Sequence, residues 1–446
     1  MVDRMLGWLG ILRLGLVQTA LGSIVVLTTS TINRVMVVEL SMPAMLPGAL
    51  VGLHYGVQIT RPRFGHGSDL GGRRSPWILG GMAVLAIGGA LAALATAWMT
   101  TNTVAGIMLA FAAFLLVGLG VGACGTTLLA LLAIRVEPRL RAAAATLVWL
   151  MMIAGFIITA GLAGHFLEPF SFSRLVVVTT VVSLGALMVT AAAIHGMEKS
   201  GPLAAAPRVL RGHEPGQDNF RKALSEVWAE PTARRFTFFV FVAMLAYSAQ
   251  DLILEPFAGL VFGLTPGEST RLSGVQNSGL LLGMLLVALL GSSRIGRDMV
   301  SLRVWTIAGC VASAVTLAGL GMAGLMGPPW PLNAAVFALG FANGVFAVAA
   351  IGSMMGLAGQ GRESRAGTRM GVWGAAQAFA FALGGFLGTM LVDLTTHVSG
   401  SPKLAYATVF FSQSILFLAA AGLVLRVGET DADVRPRYPA NVAYPE

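Results

Sequence analysis

Twelve long apolar runs follow one another along the chain, and most of its charged residues lie between them. A helix needs roughly 20 mostly apolar residues to cross the hydrocarbon part of a bilayer. The runs therefore predict an all-α integral membrane protein with twelve transmembrane helices. The predicted spans are 14–38, 43–61, 76–98, 104–134, 143–166, 174–195, 236–257, 272–291, 303–326, 332–358, 370–392 and 404–425.

Composition and motifs exclude several other classes of protein. Only 11% of the residues are charged, against about 25% in soluble proteins. Cys124 and Cys310 each lie inside an apolar run, which argues against a disulfide-rich secreted domain. Residues 120–125 match the pattern G-x-G-x-x-G, but no strand precedes them, so a dinucleotide site is not expected. The sequence also contains no phosphate-binding loop and no H-E-x-x-H motif. We therefore expect no enzymatic activity, no bound nucleotide and no structural metal.

The basic residues lie mainly on one side of the predicted membrane. If the two termini share a side, that side holds all of the 29 Lys and Arg residues except Arg34, Arg174, Arg271 and Lys403. The positive-inside rule then places both termini in the cytoplasm, and no nucleic-acid partner is indicated. The first apolar run is too long for a cleavable signal peptide.

A long polar stretch, at about 195–235, separates six spans from six. Within it Phe220, Leu224, Val227 and Trp228 fall on one helical face, which predicts a short amphipathic helix on the membrane surface or a helix that docks a partner. The predicted organisation is an N-terminal six-helix bundle (1–195), a linker (196–235), a C-terminal six-helix bundle (236–425) and a polar cytoplasmic tail (426–446).

The two halves share a weak internal repeat. A shift of 224 positions places Arg141, Trp149, Gly161 and Gly164 on Arg365, Trp373, Gly385 and Gly388, and the pair Gly72-Arg73 on Gly296-Arg297. Parallel six-span repeats are typical of the major facilitator fold, in which the substrate site lies between the halves near the midplane. Coincidence in a glycine-rich chain is the alternative.

The loop after the second span resembles the major facilitator signature G-x-x-x-D-x-x-G-R-R/K. In that superfamily the loop latches one half against the other, whereas the alternative is a tight, basic cytoplasmic turn. The second half has Ser293 at the Asp position, so it lacks a good copy. Ser75 is expected to cap the helix that follows. The predicted gating-loop residues are Gly65, Asp69, Gly72, Arg73 and Arg74.

Ionisable residues inside membrane spans are costly and therefore suggest function. Arg34 and Glu255 lie at similar depths in the first and seventh spans, roughly 30 Å along their helices. We expect Arg34 to pair with Glu255 or Asp251 and to close the side of the protein opposite the termini. The alternative is that both charges reach the interface and stay hydrated. Glu39 lies in the same stretch of the first span.

His54 in the second span could ligate a metal, including the magnesium of a chlorophyll, or could simply hydrogen-bond a neighbouring helix. Asn343 is a further polar candidate within a span. The predicted cavity residues are Asn33, Arg34, His54, Gln58, Gln250, Asp251, Glu255, Gln276, Asn277 and Gln377.

Three stretches are similar to the PucC and LhaA family, the bacteriochlorophyll delivery family of the major facilitator superfamily. They are residues 31–40 (TINRVMVVEL), 61–65 (RPRFG) and 250–257 (QDLILEPF). The resemblance implies a protein of the cytoplasmic or intracytoplasmic membrane of a phototrophic bacterium that binds bacteriochlorophyll as cargo. His54-Tyr55 before Gln58 departs from the antenna-assembly members and points to a branch tied to pigment synthesis or tail reduction.

The resemblance leads to one leading function and two alternatives. The leading one is a carrier and assembly factor that delivers bacteriochlorophyll, or a late precursor, to its partners. Those partners would be light-harvesting polypeptides, reaction-centre antenna intermediates, or bacteriochlorophyll synthase and geranylgeranyl reductase, in contact with membrane lipids. The alternatives are a proton-coupled exporter of small amphiphiles, with Asp251 or Glu255 as the proton site, and a scaffold for antenna assembly that does not transport.

Overall fold

A computed structural model describes residues 6–61, 64, 73–137, 141–198, 228–292, 301–360 and 366–426. Twelve helices, eleven of them long, account for most of these described residues. They are α1 (Trp8–Glu39), α2 (Met45–Val57), α3 (Ser75–Trp98), α4 (Thr103–Arg135), α5 (Arg141–Phe166), α6 (Phe172–Ile194), α7 (Pro231–Phe262), α8 (Pro266–Ser292), α9 (Leu302–Met326), α10 (Leu332–Gln360), α11 (Ala366–Ser399) and α12 (Pro402–Leu425).

Each predicted span corresponds to one of these helices, although their lengths differ. Eleven of the described helices are long and apolar enough to cross a membrane, whereas α2 has only 13 residues and continues as a tighter 3-10 turn at Gln58–Thr60. The predicted span 43–61 contains α2 and this turn, together with the two residues that precede α2. Several other helices extend past their apolar runs, since a helix can continue into the polar edge of the bilayer.

The helices form two bundles of identical topology. In the first half, α1 packs against α5 and α6, α3 against α4 and α6, and α2 against α4. The same contacts recur six helices later: α7 packs against α11 and α12, α9 against α10 and α12, and α8 against α10. The halves meet where α5 contacts α8, α2 contacts α11 and α1 contacts α7. The architecture is therefore a pseudo-twofold arrangement of six-helix halves.

In each half, an arginine near the start of the first helix donates a hydrogen bond to a carbonyl at the end of the last helix. We call the end that holds the start of α1 and the end of α12 the terminal side, and the opposite end the far side. Arg13 in α1 donates to the carbonyl of Ala193 at 2.7 Å, near the end of α6. In the second half, Arg235 in α7 donates to the carbonyl of Arg426 at 2.9 Å, beyond the end of α12. Cations at helix C-termini satisfy free carbonyls and interact favourably with the helix dipole.

The repeated tryptophans have diverged in environment. Trp149 in α5 is 44% exposed, whereas Trp373 in α11 is 1% exposed. Trp373 lies edge-on to Phe236, with ring centroids 4.8 Å apart, and its indole N–H donates to the carbonyl of Ala233 at 3.4 Å. The second copy thus packs the start of α7 into the core, while the first remains exposed.

Parts of the predicted organisation fall outside the described residues. Of the predicted amphipathic helix only Trp228 is described, and its ring centroid lies 5.9 Å from that of Phe238 in α7. The polar tail is described only at Arg426.

Candidate functional site between the two halves

The first helices of the two halves meet through a carbonyl that a proline leaves free. Pro256 lies inside α7 and has no N–H, so the carbonyl of Leu252, four residues earlier, lacks its usual helical donor. Asn33 Nδ2 in α1 donates to this oxygen at 2.5 Å. On either side of Asn33, α1 widens into π-helical turns at Leu27–Thr31 and Val35–Glu39. Such turns occur often at functional sites.

Replacing Asn33 with alanine is expected to lower the free energy of unfolding by about 1–3 kcal/mol, the cost of leaving a buried carbonyl unpaired. The cost should be smaller in a Pro256→Ala background, because the restored N–H of residue 256 can donate to Leu252. Thermal unfolding of the four proteins in detergent measures both costs. Equal costs in the two backgrounds would show that Asn33 stabilises the protein through some other contact.

Arg34 joins α1 to the end of α7 on the far side. Its side chain is 2% exposed. The guanidinium forms an ion pair with Glu39 of the same helix, and its Nη2 donates to the carbonyl of Leu264 at 2.6 Å. Gly263, with φ of 71°, ends α7 in the left-handed conformation that favours glycine. Arg34 therefore binds the negative end of the α7 dipole.

The predicted ion pair between Arg34 and Glu255 or Asp251 is not formed in this arrangement. Arg34 is near enough to Glu255 to interact with it electrostatically. However, the guanidinium pairs with Glu39, which lies on the same side of α1 because π-helical turns bring residues five apart together. The Glu255 carboxylate instead accepts a hydrogen bond from Ser273 Oγ in α8 at 2.6 Å. The contact between the halves at Arg34 is thus made to a backbone carbonyl.

Two carboxylates at equivalent positions hold the halves together on the far side. Asp393, near the end of α11, accepts hydrogen bonds from the backbone N–H groups of Ala44 at 2.9 Å and Met45 at 2.6 Å, at the start of α2. Glu168, just after α5, accepts a hydrogen bond from the Thr265 hydroxyl, immediately before α8. Each carboxylate faces the positive end of a helix in the other half. We call Asp393 and Glu168 the far-side latches.

Close backbone contact accompanies one of the latches. A side chain on Gly164 in α5 would place its Cβ 2.7 Å from the carbonyl oxygen of Gly267 in α8, closer than real Cβ contacts. The two helices can therefore approach this closely only because both positions are glycine.

At about the middle depth of α7, three aromatic rings lie together between the halves, with a carboxylate near two of them. The Phe381 ring in α11 lies 5.1 Å from that of Tyr55 in α2 and 5.9 Å from that of Tyr247 in α7. Asp251 follows Tyr247 by one helical turn and lies near both phenol groups. All four side chains are partly exposed. We call these four residues the aromatic cluster.

His54 lies beside the aromatic cluster but is enclosed, with 1% exposure. Its Nε2 lies 3.0 Å from Gln58 Nε2. Since an amide nitrogen only donates, His54 Nε2 accepts this bond and Nδ1 carries the proton. Within the described part of the chain that Nδ1 has no partner. Gln58 in turn accepts a hydrogen bond from Arg61. Ligation of a magnesium ion by His54 stays a prediction, and it requires Gln58 to move away.

Gln250 and Asn343 lie away from the surface between the halves, unlike what we predicted. Both are buried inside the second half, where Asn343 Nδ2 donates to Gln250 Oε1 at 2.7 Å and Ser313 Oγ donates to Asn343 Oδ1 at 2.9 Å. A satisfied chain of hydrogen bonds explains how these polar groups are tolerated in the core.

The remaining predicted cavity residues are partly exposed. Asn277 Nδ2 donates to the carbonyl of Ser273, one turn earlier in α8, at 2.8 Å. Gln377 Nε2 in α11 lies 3.8 Å from the sulfur of Met244 in α7. Gln276 is next to Asn277 in α8, so these amides lie on helices that contact the other half.

The predicted gating loop is described only in part. Gly65, Asp69 and Gly72 lie outside the described residues, while Arg73 is exposed and Arg74 is buried. The predicted cap by Ser75 was wrong, because its hydroxyl makes no hydrogen bond within the described chain. The Glu198 carboxylate caps α3 instead, accepting from the backbone N–H groups of Arg74 at 3.0 Å and Ser75 at 2.8 Å.

Comparison with protein families gives one match over nearly the whole chain. The family model described as PUCC protein matches residues 31–432. A relative from Rhodobacter capsulatus, called "Bacteriochlorophyll synthase 44.5 kDa chain", is 52% identical over 421 residues, which cover 93% of this chain and 94% of the relative. A relative called "Protein PucC", from Rhodovulum sulfidophilum, is 30% identical over 86% of this chain and 85% of its own length.

Solved structures of transporters share the fold. A D-xylose-proton symporter superimposes with a TM-score of 0.70 at 13% identity, covering 95% of this chain and 98% of the symporter. The nucleoside transporter NupG, as its D323A mutant, gives a TM-score of 0.68 at 14% identity, covering 94% of this chain and 100% of that structure. These similarities confirm the predicted all-α major facilitator fold with two six-helix halves, and so a multi-pass membrane protein.

Proposed function

Because this chain belongs to the PucC family, we propose that it is a membrane carrier for bacteriochlorophyll or a late precursor of it. In this proposal the pigment binds between the two halves and is then handed to light-harvesting polypeptides, antenna intermediates or pigment-synthesis enzymes. The names of the relatives, which mention bacteriochlorophyll synthase and PucC, support the connection with pigment.

The aromatic cluster is the observation that carries this proposal. Tyr55, Tyr247 and Phe381 offer rings from three helices and from both halves, and Asp251 is the carboxylate beside them. A large flat conjugated ring stacks well on aromatic side chains. The two phenol groups can donate hydrogen bonds to carbonyl groups at the edge of such a ring. Binding sites of this kind are mostly apolar, with a few placed polar groups.

Binding of bacteriochlorophyll a to the purified protein in nanodiscs tests the site. We expect Phe381→Ala to weaken binding about tenfold, since one aromatic contact contributes roughly 0.5–1.5 kcal/mol beyond its buried area. The matched control is Phe379→Ala, because Phe379 lies two residues earlier on the same helix, is 62% exposed, and stacks on Phe241 rather than on a ring of the aromatic cluster. The proposal fails if the wild-type protein does not bind the pigment at all, and the site is wrong if both variants bind as well as the wild type.

Ligation of the pigment by His54 is tested separately. If His54 binds magnesium, His54→Ala should weaken binding of bacteriochlorophyll a but leave binding of the magnesium-free bacteriopheophytin a unchanged. Equal effects on the two pigments would mean that His54 only supports the packing of α2. The distinction is possible because only the first pigment offers a metal to an imidazole.

We propose that the chain carries pigment rather than synthesising it. The sequence contains none of the activated nucleophile, metal or nucleotide motifs that such chemistry would require. We further propose that it lies in the cytoplasmic or intracytoplasmic membrane with both termini in the cytoplasm. The asymmetric distribution of its 29 Lys and Arg residues supports that orientation.

A proton-coupled exporter of small amphiphiles is a second candidate function, and one observation favours it. Asp251 is a partly exposed carboxylate at the middle depth of α7, where a proton could accompany a substrate. Proton uptake on addition of a small amphiphile to proteoliposomes, abolished by Asp251→Asn, would support this function. Transport that ignores the pH gradient and survives this substitution would exclude it.

A further inference from the structure

Arg61 is an exposed cation at the terminal-side end of α2. It directly follows the 3-10 turn at Gln58–Thr60, and this turn contacts α11 of the other half. The Cγ atom of Arg61 lies 3.7 Å from the position of a Cβ on Gly122 in α4. Arg61 therefore lies against α4 and close to α11, on the terminal side of the aromatic cluster.

The guanidinium of Arg61 is held at the edge of the aromatic cluster. Tyr55 lies roughly 10 Å earlier along the helix axis, and helical side chains lean toward the N-terminus. Arg61 thus lies near both the Tyr55 phenol group and His54. Its guanidinium donates a hydrogen bond to Gln58 Oε1, and Gln58 Nε2 donates to His54 Nε2 at 3.0 Å. Since His54 is buried, this chain of hydrogen bonds fixes the position of the guanidinium.

The charge of Arg61 is not balanced by an acid of the described chain. Among the described residues, no carboxylate lies within the 4.0 Å that defines an ion pair with its guanidinium. Asp251, the acid of the aromatic cluster, lies near Tyr55 but does not pair with Arg61. Gln58 uses one N–H group of the guanidinium, which leaves the others for a ligand.

A guanidinium with available N–H groups is suited to a carboxylate. Its planar fork can donate two parallel hydrogen bonds to the two carboxylate oxygens. Because this fork lies beside three aromatic rings, the whole site matches a flat ring that carries an acidic side chain at its edge. A lipid phosphate would match the charge alone and would leave the rings of Tyr55, Tyr247 and Phe381 unused.

We propose that the site prefers a tetrapyrrole with a free carboxylate, and that Arg61 binds this carboxylate. The inference rests on the proposed pigment carrier and names the form of the pigment that it carries. Bacteriochlorophyllide, the late precursor, has a free propionate where bacteriochlorophyll has an ester of a long-chain alcohol. Esterification removes the negative charge, so the ester cannot form an ion pair with Arg61. The preferred cargo is therefore the pigment before its tail is attached.

Two pigments with the same ring test this preference. Bacteriochlorophyllide a has the free carboxylate and its methyl ester does not, while neither has a long tail. Binding of each to the purified protein is measured in nanodiscs of uncharged lipid. We expect the wild-type protein to bind the acid roughly tenfold to 100-fold more tightly than the ester, the range for hydrogen bonds to a charged group.

Variants assign the preference to Arg61. Arg61→Gln should bind the acid and the ester about equally, with binding of the ester unchanged from the wild type. Arg61→Lys keeps the charge but loses the planar fork, so it should retain part of the preference. The matched control is Arg234→Gln, since Arg234 is exposed at the start of α7, roughly 20 Å along the helix before Tyr247. This control should keep the full preference.

The possible results separate this inference from the proposed function. Equal binding of the two pigments by the wild type would overturn the preference for a free carboxylate but leave the pigment carrier standing. A preference that survives Arg61→Gln would overturn the role of Arg61. A preference that disappears in nanodiscs of anionic lipid would show that Arg61 binds lipid headgroups instead. A wild-type protein that binds neither pigment would contradict the proposed function itself.

The first comparison needs only the wild-type protein, so it decides the preference even if a variant does not fold.

Discussion

Reversing the charge of Arg34 is expected to prevent the far side from closing. Arg34→Glu would put a carboxylate beside Glu39 and Glu255, and it would leave the carbonyl of Leu264 without its donor. Position 34 is 2% exposed, so the new carboxylate would be a buried charge without a partner, which typically costs about 3–5 kcal/mol. We therefore expect a loss of stability of this size in detergent, together with fast labelling of a cysteine at position 38, where α1 contacts α7.

The control for this variant is another arginine on the same side. Arg174 is exposed, and its side chain donates to the carbonyl of Pro169 at 2.9 Å within its own loop. Arg174→Glu should therefore have little effect on either measurement. Adding Glu39→Arg to Arg34→Glu restores an opposite-charge pair and should recover part of the stability. If Arg34→Glu behaves like Arg174→Glu, the account of the contact between α1 and α7 is wrong.

Removing both far-side latches is expected to open the far side. Hydrogen bonds to charged groups contribute about 1.5–3 kcal/mol each. The double variant Asp393→Ala and Glu168→Ala should therefore shift the equilibrium between closed and open forms by roughly 100-fold or more. Spin labels at Thr101 and Lys403, one on each half, should report a longer distance in the double variant than in the parent protein.

Each latch should contribute separately, because the two lie on opposite edges of the same surface. The single variants are thus expected to give intermediate populations of the open form. Glu268→Ala serves as the control, since Glu268 accepts a hydrogen bond from the Thr265 N–H within the first turn of its own helix. An unchanged distance distribution in the double variant would show that other contacts, such as that between Gly164 and Gly267, keep the far side closed.

The membrane fold could be predicted from the sequence because its signal is repeated and local. Each apolar run predicts a membrane-spanning helix without reference to the others. The basic residues between the runs predict which loops lie on the cytoplasmic side. The change from α-helix to a tighter 3-10 turn at Gln58–Thr60 could not be predicted in this way. The run at 43–61 contains residues that are apolar but not helical, and the turn at Ser41, with φ of 52°, depends on how α1 ends.

The hydrogen-bond and ion-pair partners of the buried polar residues could not be predicted, because they depend on how the helices are shaped and packed. Arg34 was correctly singled out as unusual, but sequence spacing could not show that π-helical turns bring Glu39 to the same side of α1. Gln250 was equally unusual, and it proved to be satisfied by Asn343 inside one half. For both residues the sequence identified a polar group that is costly to bury. It did not identify the partner that forms an ion pair or a hydrogen bond with that group.

Some functional candidates were missed although the sequence contained a signal. Tyr55 and Tyr247 are two of only five tyrosines, and both lie inside predicted spans. Glu168 and Asp393 close the fifth and eleventh spans and nearly coincide under the shift of 224 that relates the halves. Comparing the residues at the ends of the spans under this shift, as well as the glycines within them, would have pointed to the far-side latches.

The absorption spectrum of the protein, purified gently from a phototrophic bacterium that makes bacteriochlorophyll, tests the central claim most directly. We expect a near-infrared band that copurifies with the wild-type protein and is strongly reduced in a variant carrying both Tyr247→Ala and Phe381→Ala. The Phe379→Ala variant should retain the band. A wild-type protein without pigment, or a band of equal strength in all three proteins, would contradict the claim that the pigment is held between the two halves.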